Sequence, residues 1–207
     1  MGIVERRERE KLEVRTKILD AARELFAREG YGAVTMRRIA DAIEYSPTAI
    51  YLHFRDKETL VRELCEEDFA SLARAFQRIA KEPDPLERLR KIGMAYVDFG
   101  VEKPNHYRLM FMSTRHEPVE MEGLEKGNPE EDAYAFLVAT VAEAISKGSL
   151  KPELRDAHVV AQAAWAGVHG VISLHLAKEG DPWVEWRPVK KTAALVVDSM
   201  IDGLRRG

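Results

Sequence analysis

A chain of 207 residues with 45% hydrophobic residues can bury a core in one large or two small domains, which sets intrinsic disorder aside. Its formal net charge of −3 hides little regional contrast, because 12 Lys or Arg face 11 Asp or Glu in the first 58 residues, so any case for nucleic-acid binding must rest on where cations are placed. The one cysteine, Cys65, excludes an internal disulfide and a cysteine-rich zinc site, fits a reducing compartment, and reads as a passive helix position beside Glu66, Glu67 and Asp68.

The opening "MGIVERREREKLEVR" is densely charged and has no apolar signal-peptide core, so a cytoplasmic location is expected. Helix signals follow. Over residues 9–29, Ile18, Ala22, Leu25 and Phe26 mark one buried face, and Gly30 is placed to end the helix. Thr35 can cap a short helix, "MRRIADAI". Ser46 can cap another, with Pro47 at its first position, where the missing N–H costs nothing. After Arg55, Asp56 is set to cap a fourth helix that carries Leu60, Leu64, Leu72 and Phe76 to about Ala80.

A new layer begins at "EPDPLERLRK", with Asp84 as cap, Pro85 first in the helix and Glu87 placed to close a capping box. The same grammar at Asn128, Pro129, Glu130 and Glu131 predicts a helix through Ile145 after the loop-like "HEPVEMEGLEKG". Two more helices are predicted over 156–178 and 189–204, and no stretch alternates like a strand. Residues 159–177 carry no formal charge and approach membrane-spanning length. Gln162, His169, Ser173 and His175 interrupt them, however, so a helix packed between protein helices is the stronger expectation. The predicted architecture is all-α with about nine helices: a three-helix domain over 1–55 and a larger helical domain over 56–207.

Two short helices joined by "EY" make a helix-turn-helix, whose second helix protrudes far enough to enter a DNA major groove. On its wheel Ile50 and Phe54 share an inner face, Thr48, Ala49 and Leu52 point outward, and Tyr51 and His53 flank the boundary. Thr48 can bond a base edge or touch a thymine methyl, and Ala49 can make an apolar contact. Tyr51, His53 and Lys57 suit phosphate oxygens, as do Thr35, Arg37 and Arg38 from the preceding helix; Ser46 and Pro47 set the entrance. The bland alternative is a helical hairpin packed on other helices.

"ILDAARELFAREGY" followed by "VTMRRIADAIEYSPTAIYLHFRDKETL" resembles the DNA-binding domain of TetR/AcrR-family transcriptional regulators over about fifty residues. Ala22, Leu25, Phe26, Gly30, Thr35, Ile39, Ala40, Ser46, Ile50, Tyr51, Phe54, Lys57 and Leu60 carry the resemblance. The family often has Ala-Gly-Val where this chain has Ile43, Glu44 and Tyr45, so Glu44 must take the turn without glycine's freedom, at about 1 kcal/mol if its φ is positive. The resemblance implies a homodimeric repressor on a palindromic operator, released when a small molecule enters the carboxyl-terminal domain. Val189, Ala193, Val196, Val197, Met200 and Leu204 form a stripe, and Ala163, Ala166, Gly167 and Gly170 permit close approach. A four-helix interface from the last two helices of each subunit is therefore expected, with packing inside one chain as the alternative.

"AAWAGVHGVISLHL" is similar to the regulator subgroup named for a Trp, His and Gly, here Trp165, His169 and Gly170. Trp165 and His169 lie one turn apart and could grip a flat ligand, with Phe99, Tyr107, Met110 and Phe111 as further lining. The alternative is a buried histidine tied to a backbone carbonyl and an aromatic stripe that is plain core. His106, His116, His158, His169 and His175 lack metal-ligand spacing, and no phosphate loop, nucleophile elbow or H-E-x-x-H is present, so neither metal, cofactor nor catalysis is expected. A helical binding protein or enzyme without DNA affinity remains the rival reading.

Overall fold

The computed structural model describes residues 2–113 and 123–207. Nine α-helices occur among them: α1 (Ile3–Glu29), α2 (Met36–Ala42), α3 (Pro47–Tyr51), α4 (Lys57–Gln77), α5 (Pro85–Glu102), α6 (Pro104–Tyr107), α7 (Ala133–Ser146), α8 (Ala157–Lys178) and α9 (Val189–Leu204). A π-helical turn, Arg108–Met112, follows α6. The one extended pairing among the described residues is an isolated bridge between Leu150 and Arg205.

The chain forms two compact units, Met1–Asp68 with Asn105–Glu122, and Phe69–Pro104 with Gly123–Gly207. The expected boundary at 55 is therefore displaced into the middle of α4. The cause is ionic and apolar at once. Leu60, Val61 and Leu64 of α4 are buried, and Glu63, Glu67 and Asp68 pair with Arg15 and Arg23 of α1, so these turns belong to the first unit.

In the first unit, Ile18, Ala22, Leu25 and Phe26 of α1 lie in the core with Ile39 and Ala40 of α2 and Ile50 of α3. Helix α1 starts six residues before the expected position. Its opening turns lack apolar periodicity but are held by Arg6–Glu10 and Arg9–Glu13 pairs at 2.8 and 3.8 Å, and the Gly2 N–H donates to Glu5 at 3.0 Å. Gly30, at φ 79°, ends the helix as predicted and donates its N–H to the Phe26 carbonyl.

In the second unit α5 packs against α7, α8 and α9, and α8 against α7 and α9. Gly93 permits the close approach of α9 here, since a Cβ would stand 3.0 Å from a Val197 methyl. Asp84 caps α5 by accepting from the Leu86 N–H at 2.9 Å, yet Glu82 rather than Glu87 receives the Asp84 N–H, and Glu87 pairs with Arg90. Helix α7 begins at Ala133, later than predicted, because Asn128 folds into a side-chain turn with the Glu130 N–H at 3.0 Å and leaves the cap to Asp132.

Candidate nucleic-acid interface

Helix α3 is short and well anchored. The Ser46 hydroxyl accepts from the Ala49 N–H at 3.2 Å, Pro47 occupies the first helical position, and Ile50 and Phe54 are buried. Thr35 caps α2 in the same way, accepting from the Arg38 N–H at 3.1 Å. Both hydroxyls keep their own O–H for an outside acceptor such as a phosphate oxygen. Pro47, Thr48, Tyr51 and Leu52 are exposed, Leu52 at 77%, and Ala49 and His53 are half-buried. An apolar side chain so exposed at the centre of a capped turn suits contact with base methyls.

The turn between α2 and α3 has Glu44 at φ 60°, so the left-handed case that the resemblance raised for this position is the one realised. The Glu44 N–H donates to Asp41 and the Tyr45 N–H to Ala40, fixing the helix angle despite the strain.

The cations are disposed less freely than the sequence suggested. Arg37 is exposed, but Arg38 pairs with Glu29 at 3.1 Å. Lys57 requires a correction. Its ammonium does not reach outward to a phosphate: it donates to the carbonyls of Tyr31 and Val34 at 2.5 and 2.8 Å and sits 3.9 Å from the centre of the Tyr31 ring. It thereby ties the loop after α1 to the first turn of α4, and burial pushes its pKa down. Asp56 caps α4 as predicted, accepting from the Thr59 N–H at 2.8 Å; bonds from Thr59, then from Arg55, hold its carboxyl far below the usual range. His53 is held below the ordinary histidine pKa by burial, then by Lys11 and Arg15, and its Nδ1 has no hydrogen-bond partner among the described residues.

The residues expected to line an effector site divide between the units. Tyr107, Met110 and Phe111 belong to the first, where Tyr107 and Met110 are buried and the Tyr107 and Phe111 rings lie 5.0 Å apart. Phe99, Trp165 and His169 belong to the second. Phe99 is buried, with Lys103 Nζ 5.5 Å from its ring centre. Trp165 lies between the rings of Tyr134 and His169, at 6.3 and 6.2 Å. His169 Nδ1 meets the Tyr96 hydroxyl at 3.1 Å, and burial lowers its pKa. Tyr134 also hydrogen-bonds His158 and Gln162. Sequence reasoning missed Tyr96, Tyr134 and Gln162. The signal was there on α8, where His158, Gln162, Trp165 and His169 follow the i, i+4, i+7, i+11 spacing of one face. Among the described residues no cluster of ligand-type side chains could hold a metal ion; His116 lies outside them.

The predicted dimer stripe is corrected too. Ala193 and Val197 are fully buried within the chain, because that edge of α9 packs on α5 and α8, and a Cβ on Gly167 would meet Val196 at 3.3 Å. Val189, Val196, Met200 and Leu204 are half-buried. On α8, by contrast, Ala163 is exposed and a Cβ on Gly170 would meet open space. With Val159, Ala166 and Leu174 they make an apolar outer stripe, matched on α9 by Leu195, 67% exposed.

Two family models match the chain: bacterial regulatory proteins, tetR family, over residues 18–64, and tetracyclin repressor-like, C-terminal domain, over residues 89–200. The HTH-type transcriptional regulator UidR of Escherichia coli is 27% identical over 152 residues, 69% of this chain and 72% of that protein. The HTH-type transcriptional regulator TtgR of Pseudomonas putida is 28% identical over 202 residues, 88% of this chain and 93% of its own. The structure of the fatty acid degradation regulator FadR of Bacillus halodurans superposes with a TM-score of 0.74 at 19% identity, covering 93% of this chain and 97% of that one, a likeness of fold. With its capped recognition helix and the matches across both units, the chain belongs to the tetR family of bacterial regulatory proteins, as a DNA-binding transcriptional regulator.

Proposed function

We propose that this regulator is a homodimeric repressor that holds a palindromic operator in the cytoplasm and releases it when a small molecule binds the carboxyl-terminal unit. The observation that carries the DNA-binding part is the sorting of α3: Ile50 and Phe54 are buried, while Thr48, Tyr51 and Leu52 face solvent. One such helix contacts few base pairs, so affinity calls for a second copy related by a twofold axis. The exposed apolar stripes of α8 and α9 supply a surface for that copy, and Trp183, 93% exposed in the loop between them, extends it.

The aromatic run of His158, Tyr134, Trp165, His169 and Tyr96 supports an effector site for a flat, amphipathic molecule that stacks on Trp165 and bonds to a neutral imidazole. Helix α4 contributes residues to both units, so a ligand that prefers one arrangement of the second unit shifts the population of the first through it.

Binding of genomic duplex fragments across a salt series tests the reading. Affinity should fall steeply with salt, Tyr51→Ala should weaken all sites, and Thr48→Ala should change sequence preference. Salt-independent binding, or variants identical to wild type, would count against it.

A further inference from the structure

We propose that the first four turns of α1 form a phosphate-tracking arm, in which Lys11 and Arg7 follow the backbone of the duplex beside the sequence that α3 reads. The inference rests on the DNA-binding reading above and adds to it a surface that the amino-terminal family match, beginning at residue 18, does not include.

The argument begins with the wheel of α1. At about 100° per residue, Arg7, Lys11 and Arg15 fall on the face that carries Ile18, Ala22 and Phe26 further along. That face is apolar where the core of the first unit covers it and cationic where the helix runs past it. Arg15 marks the transition. Its guanidinium lies 5.0 Å from the Phe54 ring centre, at the end of the recognition segment, and pairs with Glu63.

Charge pairing sorts the remaining cations. On the opposite face Arg6 and Arg9 are neutralised by Glu10 and Glu13. Lys11 and Arg7 carry no ion pair among the described residues, although Glu8 shares their face. Lys11 stands close enough to α3 that its charge, after burial and ahead of Arg15, disfavours the imidazolium of His53. Lys11 precedes Arg15 by one turn on the same face of α1, and Arg15 reaches the Phe54 ring next to His53.

From Arg15 to Arg7 the helix rises about 12 Å. A duplex carries one negative charge per roughly 1.7 Å of its axis, so an arm of that length meets several phosphates. A cationic stripe whose far face is already neutralised suits this polyanion better than it suits an acidic patch on a protein, because the readout needs charge and no shape.

The test uses the full chain on one high-affinity duplex with long flanks and on the same site with the flanks trimmed to the α3 footprint. Variants are Lys11→Ala with Arg7→Ala, and, as control, Arg6→Ala with Arg9→Ala; circular dichroism checks that helix content is kept. The first pair should lose about 10- to 30-fold in affinity on the long duplex and reduce the slope of log affinity against log salt by about 1.8, two phosphates' worth. The control should leave the slope at its wild-type value, and trimming should erase the difference. A wild-type slope in the first pair, or equal losses in both pairs, overturns the arm while operator binding stands. Failure of the wild-type protein to bind duplex overturns the arm and the DNA-binding reading together.

Discussion

The Arg23 guanidinium of α1 and the Asp68 carboxylate of α4 meet at 3.1 Å with both side chains withdrawn from solvent, 7% and 1% exposed. The same Asp68 oxygen meets His106 Nδ1 at 2.6 Å, so three segments of the first unit converge on one carboxylate. Removing it leaves the buried Arg23 with only its exposed partners Asp20 and Glu67, at 3.2 and 3.1 Å, and takes a partner from His106, which together cost up to about 3–5 kcal/mol. Asp68→Ala should lose stability on that scale, read from urea midpoints at unchanged m-value. A loss below about 1 kcal/mol would mean that water already solvates the pair.

Lys57 separates a structural from a contacting role. Its bonds to the Tyr31 and Val34 carbonyls predict that Lys57→Ala lowers stability by about 1.5–3 kcal/mol, the range for hydrogen bonds to a charged group. Tyr51→Ala, at an exposed side chain, should leave stability within about 0.5 kcal/mol while weakening DNA binding. Parallel denaturation and gel-shift measurements check both. A Lys57→Ala protein of full stability would return that lysine to the surface as a phosphate contact.

Glu44 holds its left-handed conformation without compensation from glycine. Glu44→Gly should therefore stabilise the protein by about 1 kcal/mol, since the Cβ penalty it removes exceeds the entropy it adds to the unfolded chain. Thermal and urea unfolding would show it. Destabilisation instead would mean that the Glu44 side chain contributes a bond worth more than the strain.

These residues show why the sequence was legible in some places and opaque in others. Caps and buried periodicity are local, so Thr35, Ser46, Asp56 and the inner pair Ile50 and Phe54 could be read directly. Glu44 was legible only through the resemblance, which puts a glycine at that place in the turn. Lys57 was not, since a lysine stem reaches far enough that only tertiary structure decides between a carbonyl and a phosphate. The stripe on α9 was visible, but periodicity cannot tell which chain covers it, and Ala193 and Val197 proved to be covered by their own. The start of α1 failed for another reason: ion pairs at i, i+4 carry a helix that apolar spacing does not announce.

His169 sets a pH dependence. Burial lowers its pKa beneath the ordinary histidine value of 6.5, so the unfolded chain takes up a proton first as pH falls. Stability from this group is complete above that value and declines below it, and His53 acts in the same direction. Between about pH 7.5 and 5.5 the wild-type urea midpoint should fall more than that of His169→Gln, which cannot titrate. Equal falls would place the titration elsewhere.

Leu195 tests the assembly. It points away from the α9 edge on which Ala193, Val197 and Ile201 are buried, and the outer stripe of α8 offers Ala163 and Gly170 for close approach. In a twofold arrangement each copy brings the same face, so Leu195→Glu places carboxylates in a surface that must lose its water. An unpaired charge there costs several kcal/mol, and every 1.4 kcal/mol is tenfold in affinity, so dissociation should strengthen by about 100-fold or more. Sedimentation would then find monomers at concentrations where the wild-type protein is dimeric, and operator affinity should drop because each half-site is bound alone. The matching Ala193→Glu change strikes a side chain with no exposure and should unfold the bundle instead of splitting a dimer. If Leu195→Glu leaves the mass unchanged, the two copies meet through some other face, and the outer stripe of α8 is not where the twofold axis passes.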